Sequence, residues 1–448
     1  MMQNCSLIEA LFSESEESKV VSVVGGGGKT SLIFGLVEEF LRFGEKVIVT
    51  TTTHMRYEPE RPFAENADLK VVQKNLYQYG YTVVGTLDET NKKIGHVSDE
   101  KLSELKKTAD VLLIEADGSK GLPLKVPESW EPALWIESDV VIGVVGMDAV
   151  GKRIGEICHR PEKTAAFLNK SLEDHIEEKD IVRIVESKDG MRKNAQENCK
   201  YYVFLNKTDI PGKMKAAETI CRMLMNKNIQ AVCGSLKEKR CYIYRSIAFV
   251  MLAAGESSRF GSNKLLHEVE GKTMFQRTME QLKKASEKIP GSRLIVVTRF
   301  EEILQKANQL GFQTVINEFP EKGISYSMKL GIEAAQTDAC LFSVADQPWL
   351  TADTITALTE AFFKEKKGMA CLTDGHNTGN PCIFSGKYYE ELMELSGDRG
   401  GKKIIKKYPE DVTYVCIENV RELQDIDKKT ELSENIPGDK HDKRNGKN

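Results

Sequence analysis

Two kinds of hydrophobic pattern alternate along the chain. Short apolar runs rich in valine and isoleucine are separated by longer segments in which apolar residues recur with helical spacing. Near-continuous apolar runs predict strands buried on both faces, and the segments between them predict the helices that cover a parallel sheet. In the first half the predicted strands are Val20–Val24, Val47–Thr51, Val111–Ile114, Val140–Val145 and Tyr201–Leu205. The predicted helices include Ser31–Phe43, Asp99–Lys107 and Lys213–Asn226.

The pattern starts again near the middle of the chain. The charged stretch Leu236–Arg240 interrupts it, and a new apolar run, Ile247–Ala254, leads directly into a glycine. Further strands are predicted at Leu294–Thr298, Thr314–Ile316 and Cys340–Ala345. Because 448 residues are too many for one hydrophobic core, we expect two α/β domains. We place them at residues 1–240 and 247–432, and we expect the polar segment 433–448 to be a disordered tail.

Composition narrows the class of protein. Hydrophobic residues make up 40% of the chain and charged residues 29%, and the net charge of −4 favours neither nucleic acid nor an anionic membrane as a partner. No run approaches the roughly 20 apolar residues that span a bilayer. The acidic N-terminus, Met1 to Ser22, lacks the layout of a signal peptide. We therefore expect a cytoplasmic protein that binds neither nucleic acid nor membranes.

The cysteines do not form a recognisable metal or disulfide pattern. None belongs to a CxxC pair, and no cluster of histidines stands beside them. In a chain without a signal peptide, such cysteines are expected to be reduced thiols and small core residues. The ten are Cys5, Cys158, Cys199, Cys221, Cys233, Cys241, Cys340, Cys371, Cys382 and Cys416.

The loop after the apolar run at residue 247 carries the most informative chemistry. It reads LAAGESSRFGSNKLL from Leu252, so small residues follow a buried strand and the backbone can approach a nucleotide closely. Arg259 and Lys264 add two cations, which a triphosphate needs in place before displacement at its α-phosphorus. The alternative is a solvated loop with incidental basic residues. The predicted nucleotide-binding residues are Leu252, Ala253, Ala254 and Gly255.

A carboxylate follows another strand of the same half. Cys340–Ala345 ends in Asp346-Gln-Pro, which places Asp346 at the carboxyl edge of the predicted sheet, where open α/β sheets bind ligands. Magnesium on a nucleotide is usually held by only one or two carboxylates, so Asp346 is a candidate magnesium ligand. The alternative is that Asp346 is the N-cap of the next helix.

These motifs resemble the cytidylyltransferases of the molybdenum cofactor, the MocA branch of the MobA-like nucleotidyltransferases. The resemblance covers about Ile247 to Leu432 and implies a Rossmann-like sheet of the GT-A type. It further implies transfer of CMP from CTP to the terminal phosphate of molybdopterin, with Arg259, Lys264 and Asp346 as catalytic residues. Asp427 or Asp425 would supply a second magnesium ligand. Supporting segments in the family's order are Gly323–Ser327, Gly379–Phe384, Gly397–Gly400 and Asp425–Asp427.

The first half contains a modified phosphate-binding loop. Val20–Val24 runs into four glycines followed by Lys29 and Thr30, and then into a helical pattern. The lysine is expected to contact β- and γ-phosphates, the threonine magnesium, and the helix N-terminus the anion. The glycines at issue are Gly25, Gly26, Gly27 and Gly28.

Two further pieces of the first half sit where a GTPase would have them. Val111–Ile114 is followed by Glu115-Ala-Asp117-Gly, in which either Glu115 or Asp117 is a candidate to hold magnesium through water. Tyr201–Leu205 is followed by Asn206-Lys207-Thr-Asp209, which matches the NKxD motif that binds guanine. The alternative is that Asn206 and Asp209 cap a helix.

The first half as a whole is similar to the YqeC family, accessory proteins of selenium-dependent molybdenum hydroxylases. The similarity spans about Ser6 to Ser235 and by itself says little about a reaction. The glycine loop and the GTPase-like segments are what predict a P-loop NTPase-like parallel sheet that binds GTP or ATP. His54 follows a strand and is a candidate to reach a phosphate or a metal, or else to be structural. The segments that carry the similarity are GGGGKTS, TTTTH, IEADGSKGLPLK, GVVGMD, HRPE and LNKTD.

Together the two resemblances predict a bifunctional protein of molybdenum cofactor maturation. The second half would join CMP to the cofactor, and the first half would be a nucleotide-binding accessory domain that serves a client molybdenum hydroxylase. One alternative is a nucleotidyltransferase with another phosphorylated acceptor. Another is a chaperone that delivers the cofactor under control of GTP or ATP.

Overall fold

The computed structural model describes residues 1–12, 19–255 and 263–426. The chain forms two compact units, Met2–Tyr244 and Met1 with the segment from Arg245 onward. Arg259, Asp427 and the polar segment 433–448 lie outside the described residues.

The first unit is built on a 12-stranded sheet. In chain order its strands are β1 (Met2–Cys5), β2 (Lys19–Gly25), β3 (Val47–Thr51), β4 (His54–Arg56), β5 (Phe63–Glu65), β6 (Tyr81–Asp88), β7 (Lys93–Gly95), β8 (Val111–Glu115), β10 (Val140–Gly146), β12 (Lys200–Asn206), β13 (Gln230–Ser235) and β14 (Arg240–Tyr244), and a separate pair is β9 (Leu124–Lys125) with β11 (Cys158–His159). The order across the sheet is β1-β14-β13-β12-β10-β2-β8-β3-β6-β7-β4, with β5 also paired to β6. The helices are α1 (Leu7–Leu11), α2 (Lys29–Arg42), α3 (Leu69–Tyr79), α4 (Asp99–Lys106), α5 (Ile154–Ile157), α6 (Pro161–Leu168), α7 (Glu178–Glu186) and α8 (Lys213–Met225).

The sheet of the first unit is parallel only in its centre. The strands from β13 to β6 run parallel to their neighbours, whereas β14 and β1 on one edge, and β7 and β4 on the other, are antiparallel. The prediction of a parallel sheet is therefore wrong at both edges. The reason is connection length, because a parallel crossover needs about a dozen residues or more. The charged stretch Leu236–Arg240, interpreted above as a domain junction, forms the hairpin turn after β13 and the first residue of β14, and the first unit continues to Tyr244.

Helix α2 shows how the core supports the glycine loop. The helix begins immediately after Gly28, and its buried side chains share the face that packs on the sheet. Burying one such aliphatic side chain contributes about 1.5–3 kcal/mol, so the packing of α2 holds its N-terminus in a fixed position after β2. The buried apolar residues of this face are Leu32, Ile33, Leu36, Val37 and Phe40.

The second unit contains a 7-stranded sheet in the order β19-β18-β15-β20-β22-β21-β23. The strands are β15 (Ile247–Ala253), β18 (Arg293–Thr298), β19 (Gln313–Ile316), β20 (Ala339–Val344), β21 (Met369–Thr373), β22 (Thr378–Ser385) and β23 (Val412–Cys416), and a separate hairpin pairs β16 (Glu268–Val269) with β17 (Lys272–Thr273). Strand β22 is antiparallel to both of its neighbours, and the other pairs of the sheet are parallel. The helices are α9 (Met274–Lys288), α10 (Glu301–Leu310), α11 (Ile324–Ala335), α12 (Ala352–Glu365), α13 (Tyr389–Glu394) and α14 (Lys402–Lys407).

In the described parts of the chain, no helix has both the length and the apolar composition that crossing a membrane requires. The ten cysteines are free thiols, and Cys416 alone among them is exposed.

Candidate nucleotide sites

The glycine loop of the first unit lies at the carboxyl end of β2, in the middle of the sheet. Gly26 N–H donates to the carbonyl of Val144 at 2.9 Å, and Gly27 N–H donates to that of Leu122 at 3.0 Å. These N–H groups are therefore engaged by the protein itself. The first turn of α2 has N–H groups without partners inside the helix, and this turn is the part of the loop that can present N–H groups to an anion.

Glycine is required in this loop by close packing as well as by backbone conformation. Gly27 and Gly28 have φ angles of 78° and 132°, which residues with a Cβ rarely adopt. A Cβ on Gly27 would overlap the backbone of Gly146, and one on Gly28 would overlap the side-chain amide of Asn206. The glycines thus let the loop pack tightly between its neighbours.

Lys29 is buried, with 5% of its surface exposed, and it is held by several partners. Its Nζ donates to the carbonyl of Gly25 at 2.9 Å and to Ser119 Oγ at 3.3 Å, and it lies 3.3 Å from Asp117 Oδ1. Asp117 in turn accepts from Gly25 N–H at 3.0 Å and lies 3.2 Å from Lys125 Nζ. Asp117 is therefore a buried link between the glycine loop and two lysines.

Glu115, rather than Asp117, contacts the predicted magnesium-binding threonine. Thr30 Oγ1 donates to Glu115 Oε2 at 2.8 Å, and both residues line a cavity that Asp117 does not line. Burial raises the pKa of the Glu115 carboxyl, and the charge of Lys29 and the hydrogen bond from Thr30 oppose this effect. Of the two acidic residues left open by the sequence, the geometry favours Glu115 as the one that faces a ligand.

A buried network that the sequence analysis did not single out extends this site. Lys125 is fully buried and donates to Glu131 Oε2 at 2.9 Å and to the carbonyl of Gly118 at 2.8 Å. Arg160 also contacts Glu131. Burial alone would raise the pKa of Glu131, but hydrogen bonds from Arg160 and Lys125 outweigh it and lower the pKa to about 2. The only sequence signal for this network was that Lys125 and Arg160 fall within the quoted family segments.

Asn206 connects the NKxD segment to the glycine loop. Its Nδ2 donates to the carbonyl of Gly27 at 2.8 Å, and its Oδ1 accepts from Leu236 N–H at 3.1 Å. Helix α8 begins only at Lys213, with Gly212 as its N-cap, so the alternative that Asn206 and Asp209 cap a helix is wrong.

The other NKxD residues line the same cavity. Lys207 Nζ lies 2.7 Å from Asp148 Oδ2, and Asp209 is exposed. The segment Ser235–Lys237 at the end of β13, which the sequence analysis did not predict as part of a site, lies beside them. Its proximity becomes visible only once β12 and β13 are known to be neighbours.

The cavity of the first unit has a volume of about 1270 Å³. Seven of its lining side chains are lysine or arginine and three are glutamate or aspartate, so the cavity suits a polyanion. Lys29, Thr30 and Asn206 line it, as does His54, which is exposed on β4. The structure therefore gathers the predicted phosphate-loop, NKxD and histidine residues around one space.

In the second unit, Lys264 and Asp346 form an ion pair of 2.6 Å between Nζ and Oδ2. Asp346 follows β20, and Ala345 N–H donates to the carbonyl of Leu252 at 3.2 Å, which brings the end of β20 against the end of β15. Helix α12 begins at Ala352 with Thr351 as its N-cap, so the alternative that Asp346 caps this helix is wrong.

The remaining predicted residues of the second unit lie near the same sheet edge. Leu252, Ala253 and Ala254 are buried and Gly255 is exposed, so the chain emerges at Gly255. Ile426 N–H donates to the carbonyl of Asp346 at 3.3 Å, which places the segment that contains Asp425 beside Asp346.

Comparison with known proteins assigns the two parts of the chain to two different families. The YqeC protein family model matches residues 21–162, and that of the MobA-like NTP transferase domain matches residues 249–412. YqeC of Escherichia coli (strain K12) is 30% identical over 225 residues, which are 49% of this chain and 88% of that protein. The "Probable molybdenum cofactor guanylyltransferase" of Thermococcus kodakarensis is 31% identical over 179 residues, which are 38% of this chain and 83% of that protein. The chain belongs to both families.

Among solved structures, a molybdopterin-guanine dinucleotide biosynthesis protein aligns with the transferase half. It is the molybdopterin-guanine dinucleotide biosynthesis protein A from Archaeoglobus fulgidus, with a TM-score of 0.33, 13% identity, and coverage of 42% of this chain and 95% of that chain.

The donor groups of both halves fit magnesium. In the YqeC half, Thr30 Oγ1 and Glu115 Oε2 lie together at the cavity wall, and in the transferase half Asp346 has Asp425 nearby in the adjoining segment. Magnesium prefers such oxygen ligands and commonly takes only one or two from the protein, with phosphates and water completing its shell. Within the described residues, no group of three or more histidine, cysteine or acidic side chains forms a metal cluster.

Proposed function

We propose that the transferase half moves CMP from CTP to the terminal phosphate of molybdopterin and releases pyrophosphate. The observation that carries this proposal is the Lys264–Asp346 ion pair, at 2.6 Å, beside the small residues that end β15. Membership of the MobA-like family gives the reaction class, nucleotidyl transfer. The acceptor is proposed from the name of the Thermococcus relative and from the fusion to a YqeC half.

The chain's own residues account for the requirements of this reaction. The acceptor phosphate is already ionised near neutral pH, so its attack on the α-phosphorus needs no general base. Lys264 offsets negative charge on the α-phosphoryl group and the departing pyrophosphate, and the backbone at Ala253 and Ala254 lets the nucleotide approach closely. Asp346, with Asp425 or Asp427, would hold magnesium, which supplies further positive charge to the phosphates.

Two lines of support differ on the nucleotide base. The motif LAAGESSRFGSNKLL resembles that of the cytidylyltransferases and supports CTP. The Thermococcus relative is named a guanylyltransferase, which makes GTP the competing donor. We choose CTP because that resemblance rests on the loop that would contact the nucleotide.

We further propose that the YqeC half binds GTP or ATP with magnesium and serves the delivery of the cofactor to a client molybdenum hydroxylase. Asn206 and Asp209 at one end of the cavity support a guanine nucleotide, and Lys29 with the first turn of α2 supports the phosphates. Thr30 and Glu115 would hold magnesium. If this half acts as a gated chaperone, we expect slow nucleotide hydrolysis that the client stimulates and that Lys29→Ala abolishes.

A direct assay tests the transferase proposal. The full chain is incubated with molybdopterin cofactor, magnesium and each of the four NTPs in turn, and the dinucleotide product is identified by mass spectrometry. We expect the cytosine dinucleotide and an equal amount of pyrophosphate. A guanine dinucleotide would overturn the choice of base, and no dinucleotide with any NTP would overturn the acceptor.

A further inference from the structure

The cavity of the YqeC half has more space than one nucleotide requires. Its volume is about 1270 Å³. Pockets that enclose a small ligand usually measure about 300–1,000 Å³. A second ligand can therefore be accommodated beside a nucleotide.

Strand order divides the cavity lining into two sides. Measured from β2, the residues after β12 and β13, including Asn206 and Asp209, lie on one side of the glycine loop. His54 and Arg56 on β4 and Lys93 on β7 lie on the other side. Since neighbouring strands are about 4.8 Å apart and β7 is four strands away from β2, the second side reaches roughly 19 Å beyond the loop. A base held near Asp209 therefore leaves this second side to another ligand.

The second side concentrates positive charge. Arg56, Lys92 and Lys93 line it, and all three are exposed. Their side chains have no salt-bridge partner within residues 1–12, 19–255 and 263–426. Glu131, an acidic residue of the same lining, is already neutralised by Lys125 and Arg160.

Two of these cations are placed directly opposite each other. In the antiparallel pair of β4 and β7, Arg56 faces Lys93. Like charges in such cross-strand positions are destabilising unless an anion lies between or above them. Asp88 on β6 faces Lys93 from the other strand and interacts with it electrostatically, so one carboxylate stands against the three cations Arg56, Lys92 and Lys93 and leaves an excess of positive charge. The arrangement therefore favours an anionic ligand at Arg56 and Lys93.

We propose that the surface formed by Arg56, Lys92 and Lys93 is a second ligand site that binds a phosphate monoester. The inference rests on the proposed binding of a nucleotide at Lys29, because it places the monoester on the far side of the terminal phosphate from the base. A phosphate monoester carries close to two negative charges and several acceptor oxygens, which suits an arginine beside two lysines better than a single carboxylate does. The YqeC half then binds two ligands, a nucleotide and a phosphorylated small molecule.

The test uses the full chain and glycerol 2-phosphate as the probe. The chain is first saturated with magnesium and a non-hydrolysable GTP or ATP analogue, whichever binds more tightly, and the probe is then titrated by calorimetry. We expect the double variant R56Q/K93Q to weaken probe binding at least tenfold, since two charge-assisted contacts are lost, and to leave analogue binding within about twofold. Probe binding unchanged in R56Q/K93Q would overturn the proposal.

A charge-matched variant separates local from general electrostatic effects. Arg42 ends α2 and Lys107 follows α4, and both are exposed and outside the cavity lining. R42Q/K107Q removes the same charge and is expected to keep probe affinity within about twofold; a loss equal to that in R56Q/K93Q would overturn the site. If the wild-type chain binds neither analogue, the nucleotide proposal fails, and the same titration without analogue still decides the monoester site.

Discussion

The two halves of the chain begin alike and form different sites. In each, a buried strand runs into a glycine-containing loop, and a lysine pairs with a carboxylate that follows a neighbouring strand: Lys29 with Asp117 at 3.3 Å, and Lys264 with Asp346 at 2.6 Å. The Lys29 side chain is 4% exposed and that of Lys264 is 16% exposed. The first pair is enclosed by protein, whereas solvent and ligand can reach the second.

The two glycine loops differ in how closely protein atoms surround them. A Cβ on Gly27 would overlap backbone, while a Cβ on Gly255 would meet no described atom within 4 Å. The proposed binding of a phosphate in the YqeC half would require Lys29 to leave partners that already hold it. In the transferase half the ion pair lies at an accessible edge, where binding and release of a substrate need less rearrangement.

The largest effect is expected from Asp346→Ala. Loss of one group that organises charge at a phosphoryl site typically lowers turnover about 10²–10³-fold, and we expect at least that loss of pyrophosphate release from CTP and molybdopterin. Asp353→Ala is the matched control, because Asp353 is an exposed acidic residue of the same half, on α12. Full turnover by Asp346→Ala would remove the basis of the site assignment.

Lys29→Ala tests whether the two sites are independent. A hydrogen bond to a charged group contributes about 1.5–3 kcal/mol, so nucleotide affinity of the YqeC half should fall by about 10- to 100-fold. Asp117 keeps Lys125 as a partner at 3.2 Å, so the fold is expected to persist. Nucleotidyl transfer by the other half should change less than about twofold. A parallel loss of transfer would show that the YqeC half takes part in that reaction.

Gly27→Ala and Gly255→Ala sharpen the contrast between the two loops. The positive φ of Gly27 alone costs a residue with a Cβ about 1–3 kcal/mol, and the overlap with Gly146 adds to it. Gly255→Ala should change stability by less than about 0.5 kcal/mol. The measurement is urea unfolding followed by tryptophan fluorescence.

The tryptophans allow each unit to be followed separately. Trp130 and Trp135 lie in the first unit and Trp349 in the second, so Trp349→Phe leaves a signal from the first unit only. The double variant W130F/W135F keeps Trp349, so its fluorescence reports the unfolding of the second unit. Equal losses for the two alanine variants would contradict the difference in packing.

A change in acid stability is expected at Glu131. Its pKa in the folded chain is about 2, below the ordinary value of 4.5, so its contribution to stability is present above pH 4.5 and is lost as pH falls toward 2. Glu131→Gln should therefore show a smaller loss of unfolding free energy than wild type between about pH 5 and about pH 3. Glu137→Gln, on an exposed glutamate paired with Lys106, should behave like wild type. Equal losses of unfolding free energy in Glu131→Gln and wild type between about pH 5 and about pH 3 would contradict the stabilisation of ionised Glu131 by Lys125 and Arg160.

Much of the local structure could be read from the hydrophobic pattern. The predicted strand Val47–Thr51 has the same bounds in the structure, and Val111–Ile114 extends by one residue to Glu115. Apolar runs of this kind identify buried strands because a strand covered on both faces has little room for polar residues. The antiparallel edges were missed because short strands such as β4 and β7 carry no long apolar signal.

The candidate sites were predictable as motifs and not as contacts. The glycine loop, the NKxD segment and Asp346 were visible in the sequence because their residue types and spacing are typical of segments that bind phosphates, bases and magnesium. The choice between Glu115 and Asp117 was not visible, because both follow the same strand. Only the fold shows that Asp117 turns to Gly25 N–H while Glu115 meets Thr30.

The sequence by itself determined the central strands, several of the helices between them, the two families and the residue types available at each loop, because these depend on local patterns. Tertiary structure decided which distant residues meet. It joined Asn206 to Gly27, enclosed Lys125 between Asp117 and Glu131, and set Arg56 opposite Lys93. Those contacts depend on which strands are neighbours in the sheet, and chain-wide packing, rather than any local pattern, selects that order.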